Sequence, residues 1–193
     1  MPRLSNEDFY TAAIAKYGVT PRGVHWLSKE HQSVRFETIL EFLPSDLSSH
    51  TLVDVGCGFG DFYLFLKQKN SLPKSYIGVD VMREMCQITK EQTAQPTLHA
   101  DITKTPPPPA DYIVCSGALN ILTPFETELF IQNCYSSAKK GFVFNALYGS
   151  KESPTYNYLS QKQIESLSKR LHPTQTESKV GYLPNDITLG FFR

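Results

Sequence analysis

The chain carries no excess charge of either sign. Its 193 residues hold 19 basic and 19 acidic side chains, and no run of like charges forms a nucleic-acid arm, although a local basic patch is compatible with a neutral total. Long apolar runs are missing too. Nothing reaches the length of a membrane span, and the N-terminal Met1-Pro2-Arg3-Leu4-Ser5-Asn6-Glu7-Asp8 has no apolar signal core. Cysteine is sparse: Cys57, Cys86, Cys115 and Cys134 form no C-x-x-C pair and do not cluster with the histidines. That argues against a zinc site or a disulfide framework, and for reduced, buried thiols in the cytoplasm. There is no internal repeat, and the one low-complexity piece, Pro106-Pro107-Pro108-Pro109, reads as a stiff spacer. The length fits a single domain, 1–193, with a substantial core.

What is present is concentrated in Leu52-Val53-Asp54-Val55-Gly56-Cys57-Gly58-Phe59-Gly60-Asp61-Phe62. An apolar, β-branched run ends in an acid, passes through three alternate glycines and opens an apolar helical segment. This predicts a buried strand, a tight loop and a helix N-terminus, a geometry that brings backbone N–H groups close to a small ligand. The dinucleotide-binding fingerprint G-x-G-x-x-G does not fit, because Gly60 comes one position early and Asp61 stands where the last glycine belongs.

Around this loop the pattern alternates. Ser5 and Asp8 read as a capping box for a short helix stopping near Gly18. Ser28 caps a second helix carrying Val34, Phe36, Ile39, Leu40 and Leu43, ended by Pro44. Strands are then predicted at 51–55, 75–80, 97–100, 111–115 and 142–147, with helices at about 61–70, 82–94 and 125–138. Apolar strands interleaved with amphipathic helices imply a parallel sheet covered on both faces. A helix near 158–171 and two extended stretches, 175–183 and 187–193, follow. Pro184-Asn185-Asp186 between them predicts a terminal hairpin whose last strand joins the sheet antiparallel. The expected class is α/β: a Rossmann-like three-layer αβα sandwich with a mostly parallel seven-stranded sheet over 50–193, and leading helices over 1–49 covering the site.

The D-x-G-x-G-x-G loop, with this order of elements, resembles the first motif of S-adenosylmethionine-dependent methyltransferases of the Rossmann-like class. The segments Tyr17-Gly18-Val19 to Trp26-Leu27-Ser28, Gln32, Arg35-Phe36, Ser116-Gly117 and Tyr182-Leu183-Pro184-Asn185-Asp186 further resemble a small group of bacterial-type methyltransferase-like proteins without a settled substrate. The resemblance implies S-adenosylmethionine as cofactor. Gly56, Cys57 and Gly58 would form the backbone cradle of its amino-acid end, and Asp54 would hold the loop or reach the ammonium. Asp80 follows the loop by about twenty residues, the distance at which a carboxylate meets ribose hydroxyls. It would share that role with N-capping the next helix. Val81 and Met82 would pack on adenine, Asp101 would take its amino group and the Ile102 N–H a ring nitrogen.

Ser116 and Asn120 end the fourth strand, where the family shapes its methyl-transfer chamber. The Asn/Asp-Pro-Pro-Tyr tetrapeptide of enzymes that methylate exocyclic amino groups of bases or glutamine amides is absent there. Arg35 is a candidate for the cofactor carboxylate, against a surface salt bridge. Trp26 is a candidate roof for the pocket, against a core anchor. Asn120, Asn145, Tyr148 and Tyr182 are candidate substrate contacts at strand ends, and Asp186 is either another or a turn residue. Tyr17 is a further chamber candidate, and His25 the nearest base. No catalytic residue is legible, since methyl transfer from a sulfonium requires alignment and water exclusion before it requires a base.

The function implied is methyl transfer to a small molecule or exposed polar group, with no membrane partner. A non-catalytic cofactor-binding scaffold and an RNA-modifying enzyme are the alternatives; Lys139, Lys140, Lys162 and Lys169 read as a solvated face rather than an RNA patch.

Overall fold

The computed structural model describes Lys16 and residues 29–193. The expected first helix, the Ser28 cap, and Tyr17, His25 and Trp26 lie outside the described residues. The elements in order are α1 (Lys29–Glu41), β1 (Thr51–Val55), α2 (Asp61–Gln68), β2 (Ser75–Asp80), α3 (Arg83–Thr93), β3 (Thr97–His99), β4 (Ala110–Ser116), α4 (Pro124–Ser137), β5 (Ala138–Leu147), α5 (Gln161–Leu171), β6 (Gln175–Val180) and β7 (Asp186–Phe192). A 3-10 turn, Ala118–Ile121, precedes α4.

Seven strands form one sheet in the order β3-β2-β1-β4-β5-β7-β6. Strands β1 to β5 run parallel, and the hairpin adds antiparallel, β7 against β5 and β6 against β7. The Rossmann-like sheet with its C-terminal hairpin is thus as the sequence implies. Strand order reverses between β1 and β4, which opens a crevice beyond their carboxyl ends.

Side-chain alternation explains the layers. On β1 and β4, Leu52, Tyr112 and Val114 pack with Phe36 and Ile39 of α1 and Phe62, Phe65 and Leu66 of α2. Val53, Val55, Ile113 and Cys115 point the other way, onto Phe130, Ile131 and Cys134 of α4 and Ile164 and Leu167 of α5. Period-two strands buried on both faces read as continuous apolar runs for this reason. Asp54 falls two residues after Leu52, on the α1/α2 side, as the single acid of the strand.

Helix starts follow local chemistry. Thr123 and Glu126 form a reciprocal capping box with Pro124 in the first turn of α4, and Ser160 and Gln163 form another on α5. The latter sets α5 at 161 rather than near 158. The fifth strand begins at Ala138 rather than 142, because Lys139 and Lys140 hold strand backbone while their side chains reach solvent. Asp186 belongs to β7, paired with Leu147, and is not part of the turn. The four cysteines are free and buried, as expected. Among the described residues no helix is long and apolar enough to cross a membrane.

Candidate functional site

The glycine loop is fastened from below by β2 and from behind by α3. Gly56 N–H and Cys57 N–H both donate to Val79 O, at 2.7 and 3.1 Å. Thr89 of α3 donates its hydroxyl to Gly58 O at 2.7 Å and lies 3.6 Å from the Cys57 sulfur. Gly56 has φ +75°, and a Cβ there would meet the Ala118 methyl at 2.5 Å. Gly60, at φ +83°, precedes α2 so closely against α3 that a Cβ would lie 2.7 Å from Thr93 Cγ2. Both positions therefore require glycine, for backbone sign and for space.

Two carboxylates stand at the ends of adjacent strands beside this loop. Asp54 is buried and accepts the Tyr76 hydroxyl at 2.6 Å. Burial pushes its carboxyl up to about 7; the Tyr76 bond opposes this, and the nearby Asp80 and Asp61 reinforce it. Asp80 accepts Gly58 N–H at 3.0 Å on one oxygen and Met82 N–H at 2.9 Å on the other. Burial raises it to about 6 against those backbone bonds. A carboxylate has about four acceptor sites, so each Asp80 oxygen retains capacity for a ligand donor. The Asp80 to Met82 bond closes the turn that leads into α3, but the N-cap is Met82 and the helix carries no side-chain cap bond, so Asp80 does not cap it as expected.

Asp54, Asp80 and the loop face one cavity of about 560 Å³, within the roughly 300–1,000 Å³ of small-molecule sites. Its apolar wall includes the cluster of Phe59, Met82 and Met85. At the end of β3, Asp101 and Ile102 border it. Asp101 accepts the Thr103 N–H and hydroxyl at 3.0 and 2.6 Å and pairs with Lys104 at 2.8 Å. Burial raises its carboxyl, but the Lys104 and Thr103 bonds outweigh this and hold it below the usual range. Ile102 is buried, its carbonyl taken by Asn133. Val81 lines the cavity yet is 40% exposed, so it forms rim rather than floor.

Arg35, Ser116 and Asn120 reach the cavity as well. Arg35 is not on the surface: it is buried and its Nε donates to Asp186 at 2.6 Å, with a second nitrogen also on Asp186. Asn120 accepts Leu147 N–H at 3.1 Å, tying the 3-10 turn to the end of β5. Three expected contacts lie elsewhere. Asn145 is buried behind the wall, bonded to Ser116 and Thr188. Tyr182 joins Thr188 and Asp186, and Tyr148 leans on Gln161 at 3.4 Å. None of the three borders the cavity. Asn145 needed a partner inside an apolar sheet, and it finds one in protein rather than ligand.

Sequence reasoning passed over Gln32, Tyr76 and Thr89 as site residues. Gln32 lines the cavity, buried, and donates to Asp61 at 2.9 Å. Its spacing to Arg35, three residues on one helix face, was the available signal. Among the described residues no group of three or more acidic, histidine or cysteine side chains is arranged to hold a metal ion.

Comparison with known proteins agrees with this geometry. Residues 52–141 match the methyltransferase domain family. A search of curated proteins finds no match. Among solved structures, magnesium protoporphyrin IX methyltransferase from Synechocystis PCC 6803, with bound S-adenosylhomocysteine, superposes with a TM-score of 0.71 at 12% identity, covering 96% of each chain. A chain from the complex between the Haloferax volcanii Trm112 methyltransferase activator and a putative methyltransferase gives 0.73 at 13%, covering 97% of this chain and 99% of that one. Human N-acetylserotonin methyltransferase, in complex with S-adenosylmethionine, gives 0.71 at 15%, over 98% of this chain and 60% of that one. At such identities the structures establish the Rossmann-like fold alone, and the family match over 52–141 takes in the glycine loop and both strand-end acids, which makes this part of the chain similar to the methyltransferase domain family.

Proposed function

We propose that the cavity at the β1/β4 crevice holds S-adenosylmethionine and that the enzyme methylates a small-molecule acceptor entering beside it. One observation carries this reading: Asp54 and Asp80, on neighbouring strand ends, flank a loop of left-handed glycines and face a single cavity. The residues fit the group. Gly56, Cys57 and Gly58 would cradle the amino-acid end, and at Gly56 a Cβ would collide with Ala118. Asp54 would face its positive charge, and the spare acceptor sites of Asp80 suit two vicinal hydroxyls. Met82 with Phe59 and Met85 would meet adenine, Val81 covering its rim, while Asp101 and Ile102 would present an acceptor and an N–H to its edge. Arg35 and Ser116 would close the opposite end.

When bound, the cofactor supplies a methyl group activated by the adjacent sulfonium. The chain's own contribution is alignment and exclusion of water. The leading segment, 1–49, would cover the site, a reading supported by Gln32, Arg35 and Phe36 of α1 on the cavity wall. Asn120 and Tyr156 line the remaining side, which makes them acceptor contacts. A small-molecule acceptor is supported by the size of the cavity and by the substrates named for two structural neighbours, magnesium protoporphyrin IX and N-acetylserotonin.

Calorimetric titration with S-adenosylmethionine and S-adenosylhomocysteine tests the assignment, with Asp80→Ala as control. Micromolar binding by the wild type, weakened at least tenfold in the variant, is the expected result. Absence of binding by the folded wild type would overturn it.

A further inference from the structure

Ser116 closes β4 beside the glycine loop, and Ala118 two residues later packs against Gly56. From Ser116 a chain of polar side chains runs behind the cavity wall, across β5 and β7, to Arg35 in the middle of α1. Ser116 Oγ lies 2.8 Å from Asn145 Oδ1. Asn145 Nδ2 lies 2.6 Å from Thr188 Oγ1, its register partner on β7, and 3.4 Å from the Tyr182 hydroxyl. Thr188 Oγ1 is 2.9 Å from the Tyr182 hydroxyl, which is 3.1 Å from Asp186 Oδ1. Arg35 holds the other Asp186 oxygen.

Only one arrangement of hydrogens satisfies every link. Asp186, held by Arg35, accepts, so Tyr182 donates to it, Thr188 donates to Tyr182 and the Asn145 amide donates to both hydroxyls. Ser116 then donates to Asn145 Oδ1. With the amide turned over, the hydroxyl protons of Thr188 and Tyr182 would have to serve all four contacts that join Asn145, Thr188, Tyr182 and Asp186. The direction therefore runs from Ser116 to Asp186. Burial next to Asp186 also pushes the Tyr182 phenol up, which keeps it a donor.

A serine hydroxyl has a single proton, and that of Ser116 is committed to Asn145. Toward the cavity its oxygen offers lone pairs alone. We propose that this one-way chain makes Ser116 an obligate acceptor for the ammonium of the cofactor's amino-acid end, with Asn145, Thr188 and Tyr182 as positioning residues. The inference rests on the assignment of the cavity to S-adenosylmethionine. It fixes the orientation of that end: the ammonium turns to Ser116, since a carboxylate oxygen there would set lone pairs against lone pairs. The carboxyl groups of Asp54 and Asp61 on the same cavity favour a cation as well.

The test compares two ligands that share the adenosine thioether, only one of which carries the amino acid: S-adenosylhomocysteine and 5′-methylthioadenosine. Thr188→Val breaks the chain without touching the cavity. By calorimetry it should weaken S-adenosylhomocysteine about fivefold, roughly one oriented hydrogen bond, and leave 5′-methylthioadenosine unchanged, while Thr188→Ser restores wild-type affinity. Equal weakening of both ligands would show a merely structural role and overturn the proposal, as would no change in either. Should Thr188→Val fail to fold, Ser116→Ala gives the same contrast and the same readings. If the wild type binds neither ligand, the cavity assignment falls and this inference with it; if it binds both and the contrast is missing, this inference falls alone.

Discussion

Arg35 and Asp186, 151 positions apart in the sequence, form a buried ion pair that ties α1 to the first residue of β7. The pair joins the helix lining the cavity to the hairpin behind it. Burial raises the Asp186 carboxyl, and the Arg35 charge and hydrogen bonds work against that shift. Breaking such a pair from one side is expensive, because a buried charge loses its opposite.

Asp186→Ala is accordingly expected to lower stability by about 3 kcal/mol, a fall of roughly 6–12 °C in the thermal midpoint for a chain of this size. The apolar double variant Arg35→Met/Asp186→Leu should recover most of that loss. Thermal unfolding by circular dichroism reads both. Equal midpoints for wild type and Asp186→Ala would show that the pair adds nothing.

Ligand affinity should rise with pH. Asp54 and Asp80 are raised from the ordinary carboxylate value of 3.8 to about 7 and about 6, so the empty protein holds their protons more tightly than the unfolded chain does. Its stability therefore falls as pH climbs from about 4 toward 7, and levels off above. A cationic ligand that donates hydrogen bonds favours the ionised forms, so S-adenosylmethionine should bind more tightly at pH 8 than at pH 5.5. Asp54→Asn should flatten the upper part of that rise. Tyr76→Phe removes the bond that lowers Asp54 and should move the rise to higher pH. Affinity independent of pH over this range contradicts the placement of the two acids.

Gly56→Ala should weaken cofactor binding more than tenfold and cost about 2 kcal/mol, since it combines a left-handed φ with a 2.5 Å approach to Ala118. Adding Ala118→Gly removes the collision and leaves backbone strain alone. Gly181→Ala is the control: φ is +84° with nothing within 4 Å, so it should cost about 1 kcal/mol and leave binding untouched. Titration and thermal unfolding of the three variants separate space from backbone sign.

The sequence revealed most where local chemistry dictates structure. β1, the loop and α2 were legible because β-branched residues, three alternate glycines and an apolar helix face admit one reading. Asp80 was legible from its distance along the chain. The start of β5 was not, because Lys139 and Lys140 look solvated while their backbone pairs. Asn145 looked like a ligand contact because its partner, Thr188, stands across an antiparallel register that no spacing discloses. Arg35 failed to read as buried for the same reason: its carboxylate lies 151 residues away. Local pattern thus locates the strand ends and the loop, and long-range pairing decides which of their polar side chains face the cavity.

The most direct measurement is a crystal structure of the protein with S-adenosylhomocysteine. The expected result is the ligand in the β1/β4 crevice, its ribose hydroxyls within hydrogen-bond distance of Asp80 and its amino-acid end against Gly56 and Gly58. Ligand bound elsewhere on the chain, or in the crevice with the ribose away from Asp80, would contradict the assignment.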